Sequence, residues 1–244
     1  MTQGLESRAF DKKIIDVVIP AFNEENAVGH VIDDLPHSII RQIVVCDNGS
    51  SDDTAEAAKS RGAQVVTEHR KGYGQACLKA LEFIASSDPD PDYIVFLDAD
   101  YSDFPEELPN LVMPLIESSA DLVIGSRVLG KTEKGALTIP QQFGNRLATY
   151  LIRHLFHVSF TDLGPFRAVR YSSLKKMNMQ DTNYGWTVEM QIKAAQLGLS
   201  CKEIPVSYRK RIGVSKVSGT VRGVLGAGTK ILALIFWYGI MKRK

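Results

Sequence analysis

In the first half of the chain, apolar and polar positions fall in blocks. Five short, largely apolar runs stand out: residues 14–19, 43–46, 63–66, 94–97 and 122–127. Such runs, rich in β-branched residues, are what strands buried on both faces require. Between them lie longer segments that read as helices. One runs over about residues 24–35, with Asn23 as its N-cap and Glu24 and Glu25 in its first turn. A second starts in the turn-rich cluster 47–54, a third follows the loop 71–74 and reaches about residue 86, and a fourth follows Pro105. Strands alternating with helices predict an α/β domain. Its doubly wound, mostly parallel, Rossmann-like sheet carries helices on both faces, joined by right-handed connections.

After residue 130 the pattern changes. Residues 141–158 read as one long helix with Leu147, Leu151 and Leu155 on one side, and 186–197 as a helix stopped by Gly198. Residues 165–170 read as a strand. Residues 204–208 are extended and, because of Pro205, expected near a sheet edge. The division expected is a polar tail (1–12), one large domain (13–220) and an amphipathic C-terminal helix (221–244).

Composition adds an asymmetry to this picture. The 244 residues are 44% hydrophobic and 23% charged, with a net charge of +1. The first 200 residues hold nineteen cations against twenty-seven acids, whereas the last 44 hold ten against one, Glu203. An acidic body with a basic end suits a phosphate-bearing or membrane-surface partner; nothing points to nucleic acid. The tail also carries Phe236, Trp237 and Tyr238 beside Lys242, Arg243 and Lys244, as an interfacial helix on an anionic leaflet would. A helix docked on the domain, or in a homodimer interface, is the alternative. Cys46, Cys77 and Cys201 are odd in number and far apart, so neither disulfides nor zinc are indicated. The polar N-terminus lacks a signal-peptide core, and the longest apolar run, 231–240, is shorter than the roughly 20 residues of a membrane span. The location expected is cytoplasmic, with a peripheral membrane contact on the cytoplasmic face as the further option.

The chemistry-bearing residues gather where strands end. Residues 94–97 run straight into Asp98, Ala99 and Asp100, with Asp103 beyond. A strand does not bury unpaired carboxylates cheaply, so they are expected at its C-terminal edge, where open α/β sheets place ligands. Two carboxylates so close form an oxygen-only site for Mg2+ or Mn2+, which in turn holds phosphate oxygens. Other strand ends supply Pro20, Ala21, Phe22 and Glu24; Asp47, able to accept from the N–H of a base; and Arg127, a fixed cation. Lys71 opens a loop suited to backbone contact with a nucleotide. A G-x-G-x-x-G after the first strand and a G-x-x-x-x-G-K-[ST] are both missing, which disfavours a dinucleotide site and excludes a P-loop.

These residues carry a resemblance. Residues 18–25, 45–54 and 97–100 resemble the three leading motifs of family 2 inverting glycosyltransferases with the GT-A fold, and 161–168 and 211–216 are similar to motifs of the dolichyl/polyprenyl-phosphate sugar synthases. The resemblance implies a nucleotide-diphosphate sugar donor, a divalent cation and a lipid-phosphate acceptor. It implies that Pro20, Phe22, Glu24 and Asp47 bind the nucleoside, Asp98 contacts ribose or sugar, and Asp100 ligates the metal. Arg127, Arg211 and Lys216 would face the diphosphate or acceptor phosphate. Where the mannose synthases carry a Gln as metal ligand this chain has Ser102, and Asp103 is the residue expected to compensate, beside Asp98 and Asp100.

The reaction implied is in-line displacement at the anomeric carbon. A phosphate acceptor is largely ionised near neutrality, its second pKa lying near 6, and needs no general base; a hydroxyl acceptor needs one. Asp162 and Glu189 are the candidates, with Asp162 expected nearer the acceptor, and Asp100, Arg127 and Arg211 complete the expected catalytic set. UDP-sugars and GDP-mannose remain open as donors. A sugar nucleotidyltransferase and a non-catalytic membrane scaffold are the competing classes.

Overall fold

The computed structural model describes residues 9–213 and 221–241. In chain order these form β1 (Ile15–Ala21), α1 (Val28–Asp33), β2 (Gln42–Asp47), α2 (Thr54–Ser60), β3 (Gln64–Thr67), α3 (Tyr73–Ile84), β4 (Tyr93–Phe96), α4 (Leu108–Ile116) and β5 (Leu122–Ser126). Then follow α5 (Ile139–Phe156), β6 (Arg167–Arg170), α6 (Tyr171–Met177), α7 (Trp186–Gln196), β7 (Cys201–Pro205) and α8 (Val221–Phe236), which ends in a π-helical turn, Trp237–Met241.

The seven strands form one sheet in the order β3-β2-β1-β4-β6-β5-β7. All pairings are parallel except those of β6, which runs antiparallel to both β4 and β5. The sheet separates two cores because strand side chains alternate between its faces. From β1, Ile15, Val17 and Ile19 enter the core under α1, α2 and α4. Val18 enters the opposite core, beneath α3, α5, α6, α7 and α8. Asp16, on that second side, is fully buried, and Arg41 Nε (2.9 Å) and Gln42 Nε2 (2.8 Å) donate to its carboxylate. The fold expected from the apolar blocks, a doubly wound mixed α/β sheet with helices on both faces, is the one present.

Three local readings are corrected. The first helix starts at Val28, not near Glu24. Asn23 adopts a left-handed conformation (φ 54°) and does not cap it; its Oδ1 accepts from the Ser51 amide at 2.8 Å, clamping the β1 and β2 loops together. Pro20 does not close β1, which continues through Ala21. The proline is tolerated because β4 leaves β1 after the Val18–Phe96 pair, so its missing N–H falls beside a gap in the sheet. The strand expected over 165–170 exists only as Arg167–Arg170, inserted between β4 and β5.

Among the described residues no helix is long and apolar enough to cross a membrane. The C-terminal helix packs on α5 and α7, with Ile235 and Tyr238 buried in the second core.

Candidate active site

The gap where β1 and β4 part is the mouth of a cleft of about 430 Å3. That volume lies in the range of small-molecule sites. Pro20, Ala21, Phe22 and Glu24 from the end of β1 line it, with Asp98, Ala99 and Asp100 from the end of β4, Lys71 and Arg211. The C-terminal edge of a parallel sheet thus gathers nine of the expected residues, as topology requires. Asn48, Gly72, Tyr73, Ala76, Asn183 and Tyr184 complete the lining.

Around Phe22 the loops are cross-tied. Lys71 Nζ sits 3.7 Å above the Phe22 ring and donates to the carbonyls of Asn48 (2.9 Å) and Gly49 (2.6 Å). Asn48 Nδ2 donates to the carbonyls of Glu68 and Arg70, and its Oδ1 accepts from the Gly72 amide at 2.8 Å. Asp47, next to Asn48, does not line the cleft. It is 7% exposed and accepts from the Ser50 amide at 3.1 Å, so it shapes the turn after β2.

The acidic end is held by Arg211. Its Nη2 is 2.8 Å from Glu24 Oε1, and its Nη1 is 3.0 Å from Asp100 Oδ2. Asp100 Oδ1 accepts from the Ser102 amide (2.9 Å) and hydroxyl (2.5 Å), so Ser102 orients Asp100. Asp98 Oδ1 is buried without a hydrogen-bond partner. Its carboxyl is pushed up to about 7, first by burial and then by the charge of Asp100. Two adjoining carboxylates, one with an orphan oxygen, fit a hard divalent cation whose remaining ligands are water and phosphate. No group of three or more His, Cys, Asp or Glu side chains suited to a metal exists among the described residues, so a cation held by this pair would draw its other ligands from water and phosphate oxygens.

Other expected residues lie elsewhere. Asp103 is 1% exposed and outside the cleft lining, its two carboxylate oxygens without hydrogen-bond partners; burial, and then Asp98 and Asp100, raise its pKa well above the carboxylate range. It stands within reach of the Asp98 and Asp100 charges but is not part of the cleft lining. Arg127 follows β5, and β6 stands between β4 and β5. Strand spacing puts it about 10 Å from the aspartates' strand. Its guanidinium closes on Asp162 instead, through Nε–Oδ2 (2.8 Å) and Nη2–Oδ1 (2.7 Å). Burial opposes the Arg127 charge, but the Asp162 carboxylate more than offsets this and holds its pKa above normal. Asp162, fully buried, also accepts from the Arg127 amide, so neither residue faces the cleft. Glu189 is not a cleft base either. It is 1% exposed, pairs with Lys193 at 2.7 Å, and accepts from the Gln180 and Asp181 amides and the Tyr238 hydroxyl. Lys216 lies outside the described residues.

Asn48 and Tyr73 stood in the sequence only inside the segments 47–50 and 71–74, without roles of their own, and Asn183 and Tyr184 were not singled out. One signal for the last two is present: Gly72 and Gly74 lie two residues apart at the start of α3, and a Cβ on either would collide with the backbone of Asp181 or Thr182. Such paired glycines mark close backbone approach.

Comparison with known proteins adds the family. The Glycosyl transferase family 2 model matches residues 16–177. An uncharacterised glycosyltransferase of Mycobacterium tuberculosis is 34% identical over 226 residues, covering 91% of this chain and 96% of its own. A dolichyl-phosphate hexose transferase of Haloferax volcanii is 35% identical over 208 residues, covering 82% of this chain and 85% of its own. Among solved structures, glucosyl-3-phosphoglycerate synthase from M. tuberculosis, in complex with Mn2+, UDP and glucosyl-3-phosphoglycerate, superposes with a TM-score of 0.77. It is 24% identical and covers 98% of this chain and 84% of its own. The fold is GT-A, and the chain belongs to glycosyl transferase family 2 as a glycosyltransferase.

Proposed function

We propose that the protein transfers a hexose from a nucleotide-diphosphate sugar to a polyprenyl phosphate, with Mg2+ or Mn2+ required. One observation carries the reading: Asp100, paired with Arg211, and Asp98 line the same cleft as Phe22, Asn48 and Lys71. The acidic and cationic groups suit a diphosphate and its cation, and the lining around Phe22 suits a nucleoside. Asp98 and Asp100 would hold the cation, which neutralises charge on the departing nucleotide when bound. Arg211 neutralises Glu24 and Asp100 in the free cleft and is placed to pair with the incoming diphosphate.

The state of the two base candidates supports a phosphate acceptor over a hydroxyl. Asp162 is engaged by Arg127, and Glu189 by Lys193 and Tyr238. A phosphate needs neither, since it arrives ionised. The H. volcanii relative's name points the same way. A lipid acceptor is also supported by the faces of α5 and α8. Ile139, Phe143 and Tyr150 are exposed on α5 among Arg146 and Arg153, and Phe236, Trp237 and Ile240 at the end of α8. No acid occurs between Glu133 and Asp162, or after Glu203. Apolar and aromatic groups among cations, without carboxylates, suit the headgroup region of an anionic leaflet. We place the protein on the cytoplasmic face of a membrane.

A thermal-shift panel of UDP-glucose, UDP-N-acetylglucosamine and GDP-mannose, each with and without Mn2+, tests the donor reading. Ligand at 100 times its Kd adds about 2.7 kcal/mol to stability, a shift of several degrees. One sugar nucleotide is expected to stabilise the protein only with the metal; no shift with any would overturn the reading.

A further inference from the structure

We infer that Lys230 and Tyr238, two side chains of the C-terminal helix, position the cleft wall made by Asn183 and Tyr184. The inference rests on the reading of the cleft as the donor site.

The wall belongs to the loop 180–185, whose own contacts explain why it needs outside support. Its backbone reaches the cleft by packing on the start of α3: the Asn183 carbonyl accepts from the Gly74 amide (3.3 Å) and the Thr182 carbonyl from the Gln75 amide (2.9 Å). Its own amides are gathered by two buried carboxylates. Asp181 Oδ1 accepts from the amides of Asn183 (2.8 Å) and Gly185 (2.9 Å). Glu189 accepts from the amides of Gln180 (3.1 Å) and Asp181 (2.7 Å).

Two carboxylates this deeply buried need polar or cationic partners in place of water. The C-terminal helix supplies one to each. Lys230 Nζ lies 3.0 Å from Asp181 Oδ2, and the Tyr238 hydroxyl donates to Glu189 Oε1 at 3.0 Å, beside Lys193. The two side chains are about two turns apart on the helix, so they grip the loop at two points. Between them Leu234 packs so tightly on Gly185 that a Cβ there would collide with it. The loop is thus held between the glycine-bearing start of α3 and the polar and apolar face of α8. All three contacts fall on the loop, of which Asn183 and Tyr184 are the residues that line the cleft. Lys230 and Tyr238 act through Asp181 and Glu189 and are positioning residues, not catalytic ones.

The test uses the full chain with Lys230→Met and Tyr238→Phe, Lys230→Arg as the conservative variant, and Trp237→Ser as a control on the exposed face of the same helix end. Lys230 is half-exposed, so its replacement leaves no cavity, but it strands the buried Asp181 carboxylate, and the melting temperature of each variant is therefore measured beside wild type. Amide hydrogen exchange reads the loop directly, and calorimetry reads the affinity for UDP and for GDP with Mn2+. Lys230→Met is expected to speed exchange at Asn183 and Gly185 by about tenfold and to weaken nucleotide binding by about threefold to tenfold, the scale of one lost charge-assisted contact. Tyr238→Phe is expected to speed exchange at Gln180 and Asp181. Lys230→Arg restores both readouts, and Trp237→Ser changes neither. Wild-type exchange at Asn183 and Gly185 in Lys230→Met, or an equal rise in Trp237→Ser, overturns the positioning role. A wild-type protein that binds neither nucleotide overturns the donor reading instead, and the exchange arm still judges the grip on the loop.

Discussion

Arg127 and Asp162 meet edge to edge, with two guanidinium nitrogens 2.7 and 2.8 Å from two carboxylate oxygens, in a place where Asp162 is fully buried. The pair ties the end of β5 to the segment before β6. Removing one partner strands the other charge away from water, which costs about 3–5 kcal/mol. Asp162→Asn is therefore expected to lower the unfolding free energy by that amount in urea titrations. Arg127→Met/Asp162→Leu is expected to lose less than the sum of the two single variants. Nucleotide affinity of the folded protein is expected to hold. A stable Asp162→Asn variant that has lost only turnover would restore the residue to the reaction.

The pH response of Asp98 follows from its surroundings. Burial, and then Asp100, push its carboxyl up to about 7. In the unfolded chain an Asp titrates near 3.9. Between those values the native protein holds the extra proton, so this group's contribution to stability is complete below about pH 4 and is lost as pH rises toward 7. Cation binding needs the ionised form and runs the opposite way. Mn2+ affinity is expected to climb from pH 5.5 to pH 7.5 in the wild type, by calorimetry. Asp98→Asn is expected to bind Mn2+ weakly at both pH values and to lose the matching slope in stability.

Gly74 sets two effects against each other. Replacing a helical glycine by alanine ordinarily gains about 1 kcal/mol. Here the new methyl would collide with the Asp181 carbonyl oxygen and the carbonyl carbons of Asp181 and Thr182, which are backbone and cannot swing aside. Overpacking of this kind costs about 1–3 kcal/mol, so the clash wins. Gly74→Ala is expected to lower the melting temperature and to weaken nucleotide binding, because the displaced loop carries Asn183 and Tyr184. Gly144, in α5, has nothing within 4 Å of its would-be Cβ, so Gly144→Ala is expected to leave binding unchanged and serves as the control.

The exposed faces of α5 and α8 offer a separate test. Phe143, Tyr150 and Trp237 are each more than half exposed, so Phe143→Ser/Tyr150→Ser/Trp237→Ser is expected to leave the melting temperature within a few degrees of wild type. Co-sedimentation with phosphatidylglycerol vesicles is expected to fall at least tenfold in the variant, and phosphatidylcholine vesicles are expected to bind the wild type weakly. Equal sedimentation of variant and wild type would end the membrane reading.

Much of the site was legible because its logic is local. An apolar run ending in Asp98, Ala99 and Asp100 has one economical place for its carboxylates, the strand's C-terminal edge. The same holds for Pro20, Phe22 and Glu24 after β1. Neighbouring parallel strands then bring these ends together, and they line one cleft. Glu189 was less legible. Its i, i+4 partner Lys193 could be read from spacing, but the burial that turns the pair inward came from packing against Tyr238.

The order of apolar and polar blocks by itself determined a parallel α/β sheet and a cluster of acids and small residues along one edge of it, because side-chain burial along a strand is decided by the strand's own residues. Which strand ends become neighbours was decided only by the tertiary structure. β6 enters antiparallel between β4 and β5, and Arg127, at the end of β5, closes on Asp162 instead of lining the cleft with Asp98 and Asp100. Likewise the loop at 180–185 reaches the cleft only because α3 and α8 close on it from two sides. The physical reason is one of range: burial and turn chemistry act over a few residues, whereas a buried charge takes its partner from whichever chain segment the completed packing brings within about 3 Å.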